Sequence, residues 1–249
     1  MFLTKDDLKL AYGVDLEIGE VYVNRRVPAD NLYWKNRTIY IPGSPGYIFM
    51  PIFADVLYRC GADKDIILTD HFIGIAEQIL HSAALLEHKQ ITWQEHVHHV
   101  QNMILPVIKN QSLFQELSNY LNQDSPHKLI GSSLGTEFSS LNRADSYLYC
   151  LCCIEPTTLN LEKALQGWYA LMTYFLILDD LADIKEDLKK AEENVLIDAG
   201  LNETGVKKVN TMIEESMMVM QSINPVMANR IDHKRTVIDI DEIIRSITA

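Results

Sequence analysis

The sequence predicts an all-α fold, a helical bundle around a central cavity, preceded by a short irregular or β-like N-terminal arm. Three observations carry the helical part. Apolar residues recur at threes, fours and sevens between Ile66 and His88, at Ile67, Phe72, Ile75, Ile79, Leu80, Ala83 and Leu86. Thr92 followed by Glu95 spells a capping box ahead of a second periodic run. From Leu161 to about Glu193 the chain reads as its longest helix, with Asn160 placed to cap it.

Residues 1–50 form the arm. Glu17 to Val23 alternates apolar and polar residues and is rich in Val, and Thr38 to Ile41 is a second short run of the same kind. Pro42, Gly43, Pro45 and Gly46 follow it. Between the two runs lie Arg25, Arg26, Lys35 and Arg37, with Tyr33 and Trp34, the most basic stretch of the chain.

Residues 51–249 are expected as one helical domain. Gly74 weakens the helix over 66–88 slightly without stopping it, and a break falls near Lys89 to Ile91. The next helix runs from the Thr92 cap to about Ile108, with Pro106 near its end, and Phe114 to Leu121 is another short one. Asn122 to Ser140 is polar and rich in Ser and Gly, which predicts a loop. Ser146 to Ile154 is a short, dense apolar run. Thr204 to Ile223 is a helix whose Met212, Met217, Met218 and Met220 are expected to pack in the core, and Asp239 to Ile247 adds a short terminal helix. Six to nine helices are expected, with almost no strand.

Composition narrows the function. Acids number 34 and bases 22, for a formal charge of −12, so a nucleic-acid surface is not expected. An anionic substrate remains compatible where divalent metal neutralises it. No span reaches the ~18 apolar residues of a membrane helix; the longest runs from Trp168 to Leu178 and contains Thr173. Residues 1–10 carry acids and lack the apolar core of a secretory signal. Of four cysteines, three crowd together at Cys150, Cys152 and Cys153. They read as buried reduced thiols of a cytoplasmic protein.

The chemistry concentrates where an apolar run passes into five acids: Asp179, Asp180, Asp183, Glu186 and Asp187. On a helix, Asp179, Asp183 and Asp187 lie four apart on one face, with Asp180 beside the last two at i+3 and i+7. Like charges at this spacing repel, and Phe175, Ile177 and Leu178 beside them imply partial burial. A hard divalent cation held by carboxylate oxygens would offset that repulsion, Mg²⁺ being the natural choice. Mg²⁺ keeps open positions for phosphate oxygens, so a phosphate-bearing ligand follows. The bland reading is an ordinary solvated acidic face.

The D-D-x-x-D pattern at Asp179, Asp180 and Asp183, behind its apolar run, resembles the second aspartate-rich motif of the trans-isoprenyl diphosphate synthases. Read as D-x-x-x-D-x-x-E-D through Asp179, Asp183, Glu186 and Asp187, the stretch is also similar to the second motif of squalene and phytoene synthases. The run from Ile79 through His81 to His88 resembles the helix that carries the first motif. The resemblance implies an all-α fold with a deep cavity and two aspartate motifs facing each other across its mouth. It implies Mg²⁺ held by Asp179, Asp180 and Asp183, with Asp187 as helper. It also implies a prenyl diphosphate ligand and metal-assisted departure of diphosphate, followed by prenyl transfer or cyclisation. Its tail would lie along the helices at 72–86 and 168–178. Relatives often pair through helices, so a homodimer is one assembly it allows.

The chain departs from the pattern at the first motif. Where two aspartates belong, it has His88 and Lys89, and the double arginine that follows is missing. Glu87 and His88 are the substitute ligands at hand. Arg143, Arg230 and Lys234 are candidate diphosphate-binding groups, as are Arg235 and, from the arm, Arg25, Arg26 and Arg37. Two other readings stand beside the enzyme: a non-catalytic binding or regulatory protein of the same fold, and a redox metal bundle. The last rests on the histidine-rich segment His81 to His99, where Glu95 and His98 form one E-x-x-H pair of the two that a di-iron bundle needs.

Overall fold

The computed structural model describes residues 4–26, 48–122 and 133–248. Among them every regular element is helical and none is a strand, as the all-α expectation requires. Contacts divide the chain into two bodies, one built from residues 4–26, 48–122 and 145–164, the other from 133–144 and 165–248.

The first body opens with two helices where a β-like arm was expected. α1 (Lys5–Tyr12) starts on a capping box between Thr4 and Asp7 and ends at Gly13 in the left-handed region, φ 70°. α2 (Leu16–Val23) starts on Asp15, whose carboxylate accepts from the Glu17 and Ile18 amides. The correction has a physical cause. The valines suggest a period of two, but the buried positions are Ile18, Gly19 and Tyr22, one helical face. A cap and a packing partner override β-propensity: α2 packs on α1, and a Cβ on Gly19 would stand 3.3 Å from Lys5 Cβ. The second β-like run, Thr38 to Ile41, lies outside the described residues.

α3 (Phe49–Arg59), α4 (Lys64–Ile67), α5 (Asp70–Glu87), α6 (Trp93–Ile104) and α7 (Gln111–Leu121) follow. The capping box predicted at Thr92 and Glu95 is present, and Pro106 sits in a 3-10 turn, Leu105–Val107, that ends α6. α5, α6 and α7 pack around the dense apolar run, which forms a 3-10 helix over Asp145–Cys153 with all nine residues buried. Such long 3-10 runs are uncommon because their side chains eclipse. Here neighbouring helices satisfy its polar groups. The Tyr120 hydroxyl donates to Asp145 (2.7 Å), His96 bonds Ser146 (2.9 Å), and Gln101 donates to the Tyr149 hydroxyl (2.9 Å). The Cys152 carbonyl accepts from the Lys109 and Asn110 amides.

α8 (Leu161–Lys190) begins in the first body, where the Asn160 side chain caps it by accepting from the Lys163 amide. It continues through the second body, which adds α9 (Val195–Ala199), α10 (Glu203–Ile223), α11 (Pro225–Val237) and α12 (Ile240–Thr248). Asn194, Asn202 and Asn224 cap α9, α10 and α11. α10 packs against α9, α11 and α12, and a 3-10 turn at Ser139–Asn142 packs on α9. The expected methionine core holds in part: Met220 is fully buried, whereas Met218 is 60% exposed. No helix among the described residues is long and apolar enough to cross a membrane.

Candidate functional site

The acidic stretch lies on α8 within the second body, and its four aspartates meet different fates. Asp180 is buried. Its Oδ1 accepts from Arg143 Nη2 at 2.8 Å, and its Oδ2 accepts from the Val195 amide at 2.6 Å. Asp187 is buried and accepts from Asn194 Nδ2 at 2.7 Å. Asn194 Nδ2 also donates to the Asp180 carbonyl at 2.8 Å, while Asn194 Oδ1 caps α9 through the Leu196 amide. Asp179 and Asp183 point outward and are exposed; Arg143 Nη2 stands 3.8 Å from Asp179. Arg143 is held in place by its own chain, donating from Nη1 to the Ser140 carbonyl at 2.8 Å.

Sequence explains the arrangement locally. The run Asn194-Val195-Leu196 places a capping side chain and a free first-turn amide just after α8. The N-terminal end of a helix favours a carboxylate, and Asp180 supplies it. Burial pushes the Asp180 carboxyl above the usual carboxylate range, while the Arg143 guanidinium and the Val195 amide pull it back. Asp179 is also pushed up, first by partial loss of water around its carboxyl, with Arg143 opposing and the neighbouring aspartates adding repulsion.

The Mg²⁺ implied by the resemblance would need converging oxygens. The donor set as folded does not supply them: both Asp180 oxygens and one Asp187 oxygen serve protein donors, and a guanidinium stands beside Asp179 and Asp180. Among the described residues no group of three His, Cys, Asp or Glu side chains is arranged to hold a metal ion. The partners of the two buried carboxylates are an arginine, at Asp180, and an asparagine, at Asp187.

The other candidates are placed as follows. Glu87 and His88 close the C-terminal end of α5 in the first body, both exposed. Arg230 donates from Nε to the Tyr174 hydroxyl at 3.1 Å. Lys234 and Arg235 line a small apolar recess with Ile177, Ile213 and Ile231, and Arg235 pairs with Glu214 and Asp232. Arg25 is bound to Glu77 and Asp70, and Arg37 lies outside the described residues. In the histidine segment Glu95 is taken by its cap, accepting from the Thr92 amide and hydroxyl at 2.7 and 2.9 Å. His98 is exposed. The histidine with a defined buried role is His96, bonded to Ser82 (2.8 Å) and Ser146 (2.9 Å). Burial, with His99 nearby, lowers its pKa to about 4.

Sequence reasoning missed Asn194 and Val195 as partners of the aspartates. The signal was an asparagine ahead of an apolar triplet, which marks a cap but not what the cap meets. It also missed a groove of about 680 Å³ beside α8 and α10, lined by Gln166, Tyr169 and Thr173 on the one and by Thr204, Lys207 and Lys208 on the other. Gln166, Thr173, Asp180 and Asp187 recur every seven residues, so the groove and the engaged aspartates share one stripe of α8. No family model matches this chain, and neither a curated protein nor a solved structure matches it.

Proposed function

We propose that this chain is a non-catalytic, metal-independent binding protein akin to the isoprenoid synthases, with a prenyl diphosphate as its ligand class. The observation that carries the non-catalytic part is the engagement of Asp180 by Arg143 and Val195. Departure of diphosphate needs concentrated positive charge on the leaving group. With both Asp180 oxygens and one Asp187 oxygen taken up by protein donors, the cluster has few oxygens left to gather the metal ions that would supply that charge. The ligand class comes from the sequence resemblance.

The test uses farnesyl diphosphate in two arms, one with EDTA and one with Mg²⁺, each followed by calorimetry and by assay of released diphosphate. Saturable binding that survives EDTA, with no diphosphate released in either arm, is the expected result. Mg²⁺-dependent release would restore the enzyme reading, with Mg²⁺ at Asp179, Asp180 and Asp183. Absence of binding in both arms, with no rise in melting temperature, would remove the isoprenoid reading altogether.

A further inference from the structure

We propose that the groove beside α8 and α10 is an anion-binding site, in which Lys207 and Lys208 hold the phosphate head of a small amphipathic ligand. This rests on the binding reading above for the ligand's apolar part, but not for its head. At about 680 Å³ the groove falls in the size range of small-molecule sites. All of its lining belongs to the second body.

Two lysines stand on its α10 wall, exposed and in no ion pair among the described residues. In a chain of net charge −12, these two adjacent lysines give the concave wall a local positive end. Thr204 and Thr211 flank them at i−3 or i−4 and i+3 or i+4, which sets hydroxyl donors on the turns above and below. The first amides of α10 already donate to Asn202, so the head would be held by side chains.

The rest of the groove fits the body of such a ligand. Ala170, Met212 and Val219 supply apolar wall, and Met adapts to irregular shapes. Tyr169 is fixed by accepting from the Gly135 amide at 2.6 Å. Glu137 and Glu215 line the groove too. Glu215 follows Lys208 by two helical turns, about 10 Å along the axis. Along α10 an anion is thus drawn to the lysines and repelled from Glu215, which sets the ligand's direction on that wall.

The test titrates inorganic pyrophosphate, then farnesyl diphosphate, into the full chain with EDTA present. It compares wild type, the double variant Lys207→Gln/Lys208→Gln, and a control Lys185→Gln/Lys189→Gln that removes the same charge from α8 outside the groove. The lysine pair should account for at least about a tenfold loss in affinity for both probes in the groove variant. The control should lose little, and binding should weaken as salt rises. Equal loss in both variants, or none in the groove variant, overturns the site. If farnesyl diphosphate binds wild type and groove variant equally, the groove fails while the binding protein stands. If pyrophosphate binding depends on Lys207 and Lys208 but the farnesyl tail adds nothing, the groove stands and the prenyl reading fails. All variants are exposed-surface changes, and their melting temperatures report intact folding.

Discussion

Arg25 donates to both carboxylate oxygens of Glu77, from Nε and from Nη2, each at 2.9 Å. Arg25 is 16% exposed at its side chain and Glu77 is 1% exposed, and Asp70 completes the set as a further partner of Arg25. A two-pronged pair of this kind ties the chain after α2 to the middle of α5.

Breaking that pair should be costly because it strands a buried charge. Glu77→Gln is expected to lower stability by about 3 kcal/mol in urea denaturation. The double variant Glu77→Gln/Arg25→Met should lose less than the two single losses added together. Additive losses would show that the two side chains do not act as a pair.

The engagement of Asp180 makes a prediction that needs no variant. The Val195 amide opens a helix of only five residues, and a first-turn amide on so short a helix would ordinarily exchange quickly. Donating into a buried carboxylate, it should exchange as slowly as the body that contains it. Arg143→Met should then speed its exchange, and Asn194→Ala should cost about 2 kcal/mol, because Asn194 bonds Asp180, Asp187 and Leu196 at once. Rapid Val195 exchange in the unaltered chain is the contrary result.

His96 should make the first body acid-sensitive. Its folded-state pKa, about 4, lies below the ordinary 6.5, so the folded form resists protonation. The contribution is therefore fully present above pH 6.5 and is lost as the pH falls through about 4. The limit is on the order of 3 kcal/mol. Comparing denaturation midpoints of wild type and His96→Gln across this window isolates the effect. Equal pH slopes in the two proteins would refute it.

Two glycines on helices should respond to alanine in opposite directions. A Cβ on Gly74, inside α5, meets nothing within 4 Å, so Gly74→Ala should stabilise by about 0.5–1 kcal/mol. A Cβ on Gly205, early in α10, would stand 1.7 Å from the Gly200 carbonyl oxygen and 2.8 Å from that of Ala199. Backbone cannot give way there as a flexible side chain would, and Gly205→Ala should cost about 3 kcal/mol or more. Melting temperatures of the two variants check both signs.

Helix identity was legible wherever apolar period and a cap agreed. The Thr92 box, the Asn160 cap of α8 and the span of α10 all follow from residues a few positions apart. Legibility failed at Leu16–Val23, where short valine-rich alternation fits either period and only the burial of Ile18 and Tyr22 decides between them. It failed again at Pro225–Val237, whose apolar face is too mixed to stand out. The 3-10 form of Asp145–Cys153 depends on partners such as Tyr120 and His96 from helices far along the chain.

The aspartates show the same division at the level of the site. By itself the sequence determined that this is a helical protein with an excess of acid, and that Asp179, Asp180, Asp183 and Asp187 share adjoining turns, since helical spacing is a local property. Only the tertiary structure decided which of them are engaged: Asp180 and Asp187 are bound by protein donors, while Asp179 and Asp183 stay exposed. Arg143 precedes Asp180 by 37 residues and the Val195 amide follows it by 15, and no periodicity reaches that far. Which cation answers a buried carboxylate is set by what the fold brings within hydrogen-bonding distance.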